Sequence, residues 1–243
     1  MRCFSLLCPS RGRPNRVIEF ADSVFKTANK LHRIELLFYI DTDDSERLSY
    51  REPLESLGQK YGVDKSIKIF EGPSIGVPGS VNFLAQEAKG EVLLYTSDDQ
   101  VYIDPAWDIR LDEEVEKYPD EIYCMWFNDA WESQKFCTFP IVSKKWVKEL
   151  GYFMFPFFQH FFIDTWVWML AKSVDRAIYI PDILVEHRHW KAGKAAKDET
   201  YNRNITTATN SKHARDREIM DKFERYFVAD VGLLEGLITN KEN

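Results

Sequence analysis

The sequence predicts an α/β fold, a mainly parallel sheet flanked by helices, followed by a C-terminal helical tail. Three observations carry this. Apolar runs of strand length alternate with segments of helical period over the first hundred residues; each strand run ends in a polar loop; and a charged tail carries one apolar helical stripe.

In chain order, Cys3 to Cys8 is a strand, and the loop PSRGRPNR leads into a helix. Between Val17 and Lys30, the residues Val17, Phe20, Ala21, Val24, Phe25 and Ala28 recur at helical spacing. A second apolar run, IELLFYI, ends abruptly in DTDDSE. A helix across Ser49 to Tyr61 then precedes a third strand, SIKIFEG. Ser80 to Lys89 is helical, with Val81, Leu84, Ala85 and Ala88 on one face, before Glu91 to Tyr95 returns to strand. Beyond Asp104 aromatic residues become dense and alternation weakens, as expected where a subregion is grafted onto the sheet. From Thr206 onward Ile219, Phe223, Phe227, Leu234 and Leu237 or Ile238 fall on one stripe of a helix, or two, packed on the body. A membrane-surface or homodimer contact is the other use of such a stripe. The boundaries are a domain over 1–205 and a tail over 206–243.

Bulk properties narrow the function. A chain of 243 residues with 44% hydrophobic and 29% charged residues has ample material for a core and no disorder signature. Its formal charge of −7 disfavours a large basic surface for nucleic acid. Cys3, Cys8, Cys124 and Cys137 show no CxxC spacing, which points to free thiols in a reducing, cytoplasmic setting rather than zinc. Pro9 interrupts the N-terminal apolar run too early for a secretory signal, and His160 and Asp164 break the FFQHFFIDTWVWML stretch, so no transmembrane helix is expected.

In sheets of this kind ligands gather at the carboxyl ends of the strands. The loops there hold SRGRPNR, DTDDSE and SDDQ, one basic and two acidic. A phosphate plus a divalent cation satisfies that mixture, since arginines and helix amides take the anion and carboxylates the metal. The adjacent carboxylates Asp98 and Asp99 repel each other at a strand end unless solvent, a cation or an internal base offsets them; a plain turn is the alternative. Asp164, among aromatics before TWVWMLAK, reads as a helix N-cap. His187 and His189 alternate on an extended segment and so point the same way, with Arg188 facing away.

The ordered set CPSRGRPN, YIDTDD, NFLAQEAKGEVLLYTSDDQ, FIDTW and EHRHW resembles a GT-A glycosyltransferase of the glycosyltransferase family 2 type, from Cys3 to Trp190. The tail lies outside the resemblance. The resemblance implies a Rossmann-like GT-A domain and a metal-dependent, inverting transfer of a sugar from a nucleoside diphosphate to an acceptor hydroxyl. It puts Asp41 near the nucleotide's base and ribose, with Asp43 and Asp44 capping or solvated. SDDQ takes the place of a D-x-D motif, with Asp98 near the ribose or metal and Asp99 binding Mn²⁺ or Mg²⁺. Ser97 and Thr96 stand where a strict D-x-D would have carboxylates. Asp164 matches the acidic residue that deprotonates the acceptor hydroxyl, and an apolar setting would raise its pKa toward that of a useful base. One histidine of the H-x-H pair would serve the metal and the other phosphate, with His187 taken as the ligand and His189 as a diphosphate or metal contact.

Pro9, Arg11 and Arg13 complete the expected nucleotide loop, the arginines contacting phosphate or the base edge and Pro9 and Pro14 stiffening it; a solvated basic loop is the alternative. Lys191, Lys194 and Lys197, around Gly193, form a loop able to close on the diphosphate, with Lys194 the named contact. Trp107, Trp126, Trp131, Trp166 and Trp168 are assigned mainly to the core. The donor expected is a UDP-sugar. The acceptor is a surface glycan or a hydroxymethylated DNA base. Two other functions fit part of the pattern. A sugar-nucleotide nucleotidyltransferase shares the alternation but usually carries a glycine-rich phosphate loop, and SRGRP holds only Gly12. A nucleotide- or carbohydrate-binding module would bind without turnover.

Overall fold

The computed structural model describes residues 2–196, 198–204 and 211–239. Strand β1 (Phe4–Ser10) is buried along nearly its whole length, which explains its continuous apolar run: a strand covered on both faces needs no polar alternation. The other strands are β2 (Ile34–Asp41), β3 (Ile67–Gly72), β4 (Val92–Tyr95), β5 (Gln100–Tyr102), β6 (Cys124–Asn128), β7 (Ile141–Ser143) and β8 (Ala177–His187). They form one sheet in the order β3-β2-β1-β4-β7-β6-β8-β5.

The expected parallel sheet holds where helices make the crossovers. β3, β2, β1 and β4 are parallel neighbours, and β6 runs parallel to β8. β7 runs antiparallel to both β4 and β6, and β5 antiparallel to β8. The sheet is therefore mixed. Only one short 3₁₀ turn separates β6 from β7, and without a helical crossover the chain returns antiparallel.

Helices α1 (Pro14–Thr27), α2 (Arg51–Tyr61) and α4 (Trp107–Glu116) cover one face of the sheet. Their buried residues, among them Phe20, Leu54 and Trp107, form a core with Phe4, Leu36 and Phe38. The opposite face carries α3 (Gly76–Glu87), α5 (Lys144–Leu150) and α6 (Ile163–Ser173). α1 and α3 begin three and four residues before the stretches their periodicity marks, because the first turn of α1, PNR, is polar and that of α3, GVPG, holds two glycines and a proline that read as a turn.

After the short α7 (Glu199–Asn204), the tail forms two helices, α8 (Lys212–Lys222) and α9 (Glu224–Thr239). Leu234 is fully buried against the α5 and α6 side, with Phe223 and Phe227 packed beside it. The Trp166 and Phe227 rings meet edge to face at 5.2 Å, and Tyr152 donates a short hydrogen bond to Asp230. The apolar stripe is thus spent inside the chain. Trp107, Trp126 and Trp166 are core residues as expected, whereas Trp131 is exposed beside His189. No described helix is long and apolar enough to cross a membrane.

Candidate active site

The carboxyl ends of β1, β2 and β4 open into a cleft of about 780 Å³. Pro9, Arg11, Arg13, Asp41, Asp98, Asp99, Asp164, His187 and His189 all line it. Residues up to 180 positions apart in sequence are brought together because the parallel strands all deliver their loops to one edge.

The loop after β1 is held by side chains from the loop after β2. Gly12 takes a left-handed turn, φ 67°, and its amide donates to Asp44 Oδ2 at 2.8 Å. The Arg13 amide donates to the Tyr50 hydroxyl, which donates in turn to Asp44 Oδ2 at 3.1 Å. Asp44 is therefore not a solvated residue: it is 5% exposed and organises the loop after β1. Asp43 is the solvated member of the pair, and Arg11 bridges it to Asp41, whose Oδ2 lies 3.0 Å from Arg11 Nη1.

Arg13 faces acids rather than open cleft. Its Nη1 donates to Asp98 Oδ1, and Nε and Nη2 donate to the two oxygens of Asp198, each at 2.8 Å. Its guanidinium lies 4.3 Å from the centre of the Tyr201 ring. A planar fork satisfied on two edges and stacked on an aromatic is a fixed group. The position expected to contact phosphate thus anchors Asp98 first.

The adjacent carboxylates have separate partners. Asp98 accepts from Arg13 and from Ser10 Oγ at 2.6 Å. Burial is the main influence on it and leaves its carboxyl raised, although Arg13 pulls the other way. Asp99 Oδ2 accepts from the Tyr201 hydroxyl at 2.6 Å and lies 3.5 Å from His187 Nε2. Burial pushes Asp99 up as well, but His187 and Tyr201 outweigh it and hold the carboxyl below its ordinary range. The arrangement keeps Asp99 charged next to a less acidic Asp98. Backbone pairing fixes the approach: the Arg188 amide donates to the Asp99 carbonyl at 2.7 Å.

Asp99 Oδ1 and His187 Nδ1 are buried and make no hydrogen bond. An unpaired carboxylate oxygen in such a place costs free energy unless a cation meets it. The carboxylate oxygen suits Mn²⁺ or Mg²⁺, and of the two the imidazole donor favours the transition metal Mn²⁺. Among the described residues no group of three or more His, Cys, Asp or Glu side chains forms a complete metal cage. Asp99 and His187 could therefore supply only two of an ion's ligands, and the rest would have to come from outside the described side chains.

The His187 and His189 rings lie 5.1 Å apart on the same side, as their alternation implies, while Arg188 turns away to Glu19 and Glu186. Burial and the neighbouring His187 lower the His189 pKa to about 4, so its ring is neutral at pH 7. Lys194 is not brought to the cleft. Its Nζ pairs instead with Glu186 at 3.0 Å, just after the left-handed turn at Gly193, φ 71°. Lys191 does line the cleft, and Lys197 lies outside the described residues.

Asp164 sits in the first turn of α6, half-buried, its Oδ1 accepting from the Thr165 amide at 2.7 Å. The N-cap position itself is Phe162, which makes no side-chain cap, so the capping role expected for Asp164 is not the one it has. Burial raises the Asp164 pKa to about 6, with the Thr165 hydrogen bonds opposing it. A carboxylate of that basicity in a cleft is suited to take a proton near neutral pH.

Sequence reasoning missed Ser10, Asp44, Asp198 and Tyr201. Ser10 and Asp44 lie inside motifs that were singled out, but their partners, Asp98 for Ser10 and Gly12 and Tyr50 for Asp44, are set by the fold. Asp198 and Tyr201 stand in the polar run DETYNR, which has no strand or helix period to mark it.

No family model matches the sequence, and no curated protein matches it. Solved structures do match by fold. TarS 1–349 of S. aureus in complex with UDP superimposes with a TM-score of 0.57 at 14% identity, over 75% of this chain and 59% of TarS 1–349. The mannosyltransferase PcManGT from Pyrobaculum calidifontis, in complex with GDP-Man and Mn²⁺, gives a TM-score of 0.62 at 14% identity, over 98% of this chain and 73% of PcManGT. GalNAc-T7 with UDP, GalNAc and Mn²⁺ gives 0.61 at 14% identity, over 77% of this chain and 44% of GalNAc-T7. The chain thus spans 59% of TarS 1–349 and 43% of a second, longer TarS structure. At such identities the likeness is one of architecture, and the chain has the GT-A fold of these glycosyltransferases.

Proposed function

We propose that the protein is a metal-dependent glycosyltransferase that moves a sugar from a nucleoside-diphosphate sugar to an acceptor hydroxyl with inversion. One observation carries the reading. A cation-suited pair, Asp99 and His187, and a carboxylate poised as a base, Asp164, share one cleft.

The first loop and Asp41 would receive the nucleotide, and Arg13 would hold Asp98 in place for the ribose. A Mn²⁺ or Mg²⁺ ion at Asp99 and His187 would supply charge neutralisation for the leaving diphosphate. Asp164 would accept the proton of the acceptor hydroxyl as that oxygen bonds to the anomeric carbon, and the pair of electrons of the broken bond would leave with the diphosphate. The neighbours' nucleotides, UDP and GDP-Man, support a nucleoside-diphosphate donor, and Mn²⁺ in two of them supports the metal. A UDP-sugar is our first choice of donor, a surface glycan or a hydroxymethylated DNA base our acceptor classes, and a cytoplasmic location belongs to the same reading.

The test is thermal shift with a panel of nucleoside diphosphates, with Mn²⁺ and with chelator, followed by turnover of the matching nucleotide sugar. Stabilisation that requires Mn²⁺, together with sugar release or transfer, is expected. An equal shift in chelator defeats the metal assignment, and metal-dependent binding without any turnover favours the binding module.

A further inference from the structure

Asp216, in the tail helix α8, is an acidic residue that is fully buried. Its Oδ1 accepts the Gln159 amide at 2.8 Å, and its Oδ2 accepts the His160 and Phe161 amides at 2.9 and 2.8 Å. Three consecutive amides therefore converge on one carboxylate. The loop they belong to lines the cleft and runs directly into Asp164.

The same helix also meets this loop through side chains: the His213 ring lies 5.0 and 5.1 Å from the Phe161 and Phe162 rings, and the Arg217 guanidinium 4.6 Å from the Phe162 ring, but only Asp216 binds its amides. Phe162 follows it at φ 61°, a left-handed conformation that a bulky residue keeps only when its surroundings impose it. The turn of helix after it has no side-chain cap. From the far side, Gly76 approaches so closely that a Cβ there would lie 3.2 Å from the Gln159 carbonyl oxygen. Asp216 itself rides on a fixed support, since Ile219 and Met220 of the same helix, and Phe223 just after it, pack against the core that holds α6.

We infer that Asp216 is a positioning residue, which clamps the 159–161 loop from the tail and so places Asp164 in the cleft. The inference rests on the proposed role of Asp164. It assigns a task in the active site to the segment that lies outside the sequence resemblance. A carboxylate is the group suited to it, because two oxygens can accept three amides, whereas an amide side chain offers one oxygen and turns two N–H donors toward donors.

The experiment uses the full chain with Asp216→Asn and Asp216→Glu. It reads three quantities: the Asp164 titration midpoint by carboxyl-carbon NMR, Mn²⁺-dependent nucleoside diphosphate affinity, and transfer rate. In Asp216→Asn the midpoint is expected to drop from about 6 toward the ordinary carboxylate range as the loop loosens and water reaches it. Transfer should fall on the order of a hundredfold while nucleotide affinity stays within about twofold, since small misplacement of a reacting group costs that much. Asp216→Glu, which keeps the carboxylate but moves its oxygens, should show smaller changes of the same sign. If Asp216→Asn does not fold, Asp216→Glu decides by the same readings. An unmoved midpoint with unchanged transfer in a folded variant overturns the inference, as does a parallel loss of nucleotide affinity and transfer. Should the wild-type protein transfer no sugar, the functional reading fails, and the Asp164 midpoint still tests the clamp.

Discussion

The Tyr201 hydroxyl donates to Asp99 Oδ2 at 2.6 Å, while Asp99 Oδ1 is left buried and without a hydrogen bond. One oxygen of this carboxylate is thus oriented by the protein and the other is free to meet a ligand. Hydrogen bonds to charged groups contribute about 1.5–3 kcal/mol. Tyr201→Phe should therefore weaken Mn²⁺-dependent nucleotide binding about tenfold, read by calorimetry. Unchanged affinity would mean that His187 alone orients Asp99.

Asp99→Asn keeps the shape and the Tyr201 contact but removes the charge. At ligand concentrations about a hundred times Kd, a nucleoside diphosphate with Mn²⁺ should stabilise the wild type by roughly 2.7 kcal/mol, and the variant should lose the metal-dependent part. Thermal unfolding with and without Mn²⁺ checks this.

Asp164→Asn should lower transfer by about 10² to 10⁴ with nucleotide affinity retained. In the wild type the kcat/KM profile should rise with pH through about 6 and level above it, because the base acts deprotonated. That acid limb should be missing from the residual rate of the variant.

The same raised pKa has a stability consequence of fixed sign. Folded Asp164 binds its proton more tightly than the unfolded chain does, so stability from this group is present below about pH 4 and is lost as pH rises through about 6. At pH 7 Asp164→Asn should therefore be more stable than the wild type, by up to roughly 3 kcal/mol. Urea unfolding at pH 4 and 7 measures it, and a gain that does not shrink at the lower pH would contradict the assigned environment.

Arg13→Ala would leave Asp98 buried beside Asp99 with only Ser10 as a donor. Removing one partner of a buried ion pair typically costs about 3–5 kcal/mol. Denaturant unfolding should show a loss of that order, partly restored in Arg13→Ala combined with Asp98→Asn.

The order of strands and helices up to β4 was legible in the sequence because hydrophobic periodicity is local, whereas the aromatic-rich stretch beyond Asp104 carries no clean period to mark β6 and β7. β1 and β2 follow from unbroken apolar runs, and α1 from the spacing of Val17, Phe20, Ala21 and Val24. Asp41, Asp98, Asp99, Asp164, His187 and His189 were also legible as site candidates, each being a polar residue where an apolar element begins or ends. Such positions face the strand-end crevice whatever the detailed packing.

Partnerships across the chain were decided by the tertiary structure alone. Arg13 meets Asp198 across 185 positions, Asp99 meets Tyr201 across 102, and Asp216 meets the 159–161 amides across 55 to 57. Nothing in the local sequence specifies these pairings, because a charge or hydroxyl in a polar run satisfies water as well as it satisfies a partner. Only when the folded sheet removes the water does the choice of partner carry free energy. The direction of β7 was settled in the same way, by pairing with β4 and β6 rather than by its own three residues. The sequence thus determined the alternating elements up to β4 and most of the residues that edge the cleft, and the packed fold determined the elements beyond Asp104 and which residues hold one another.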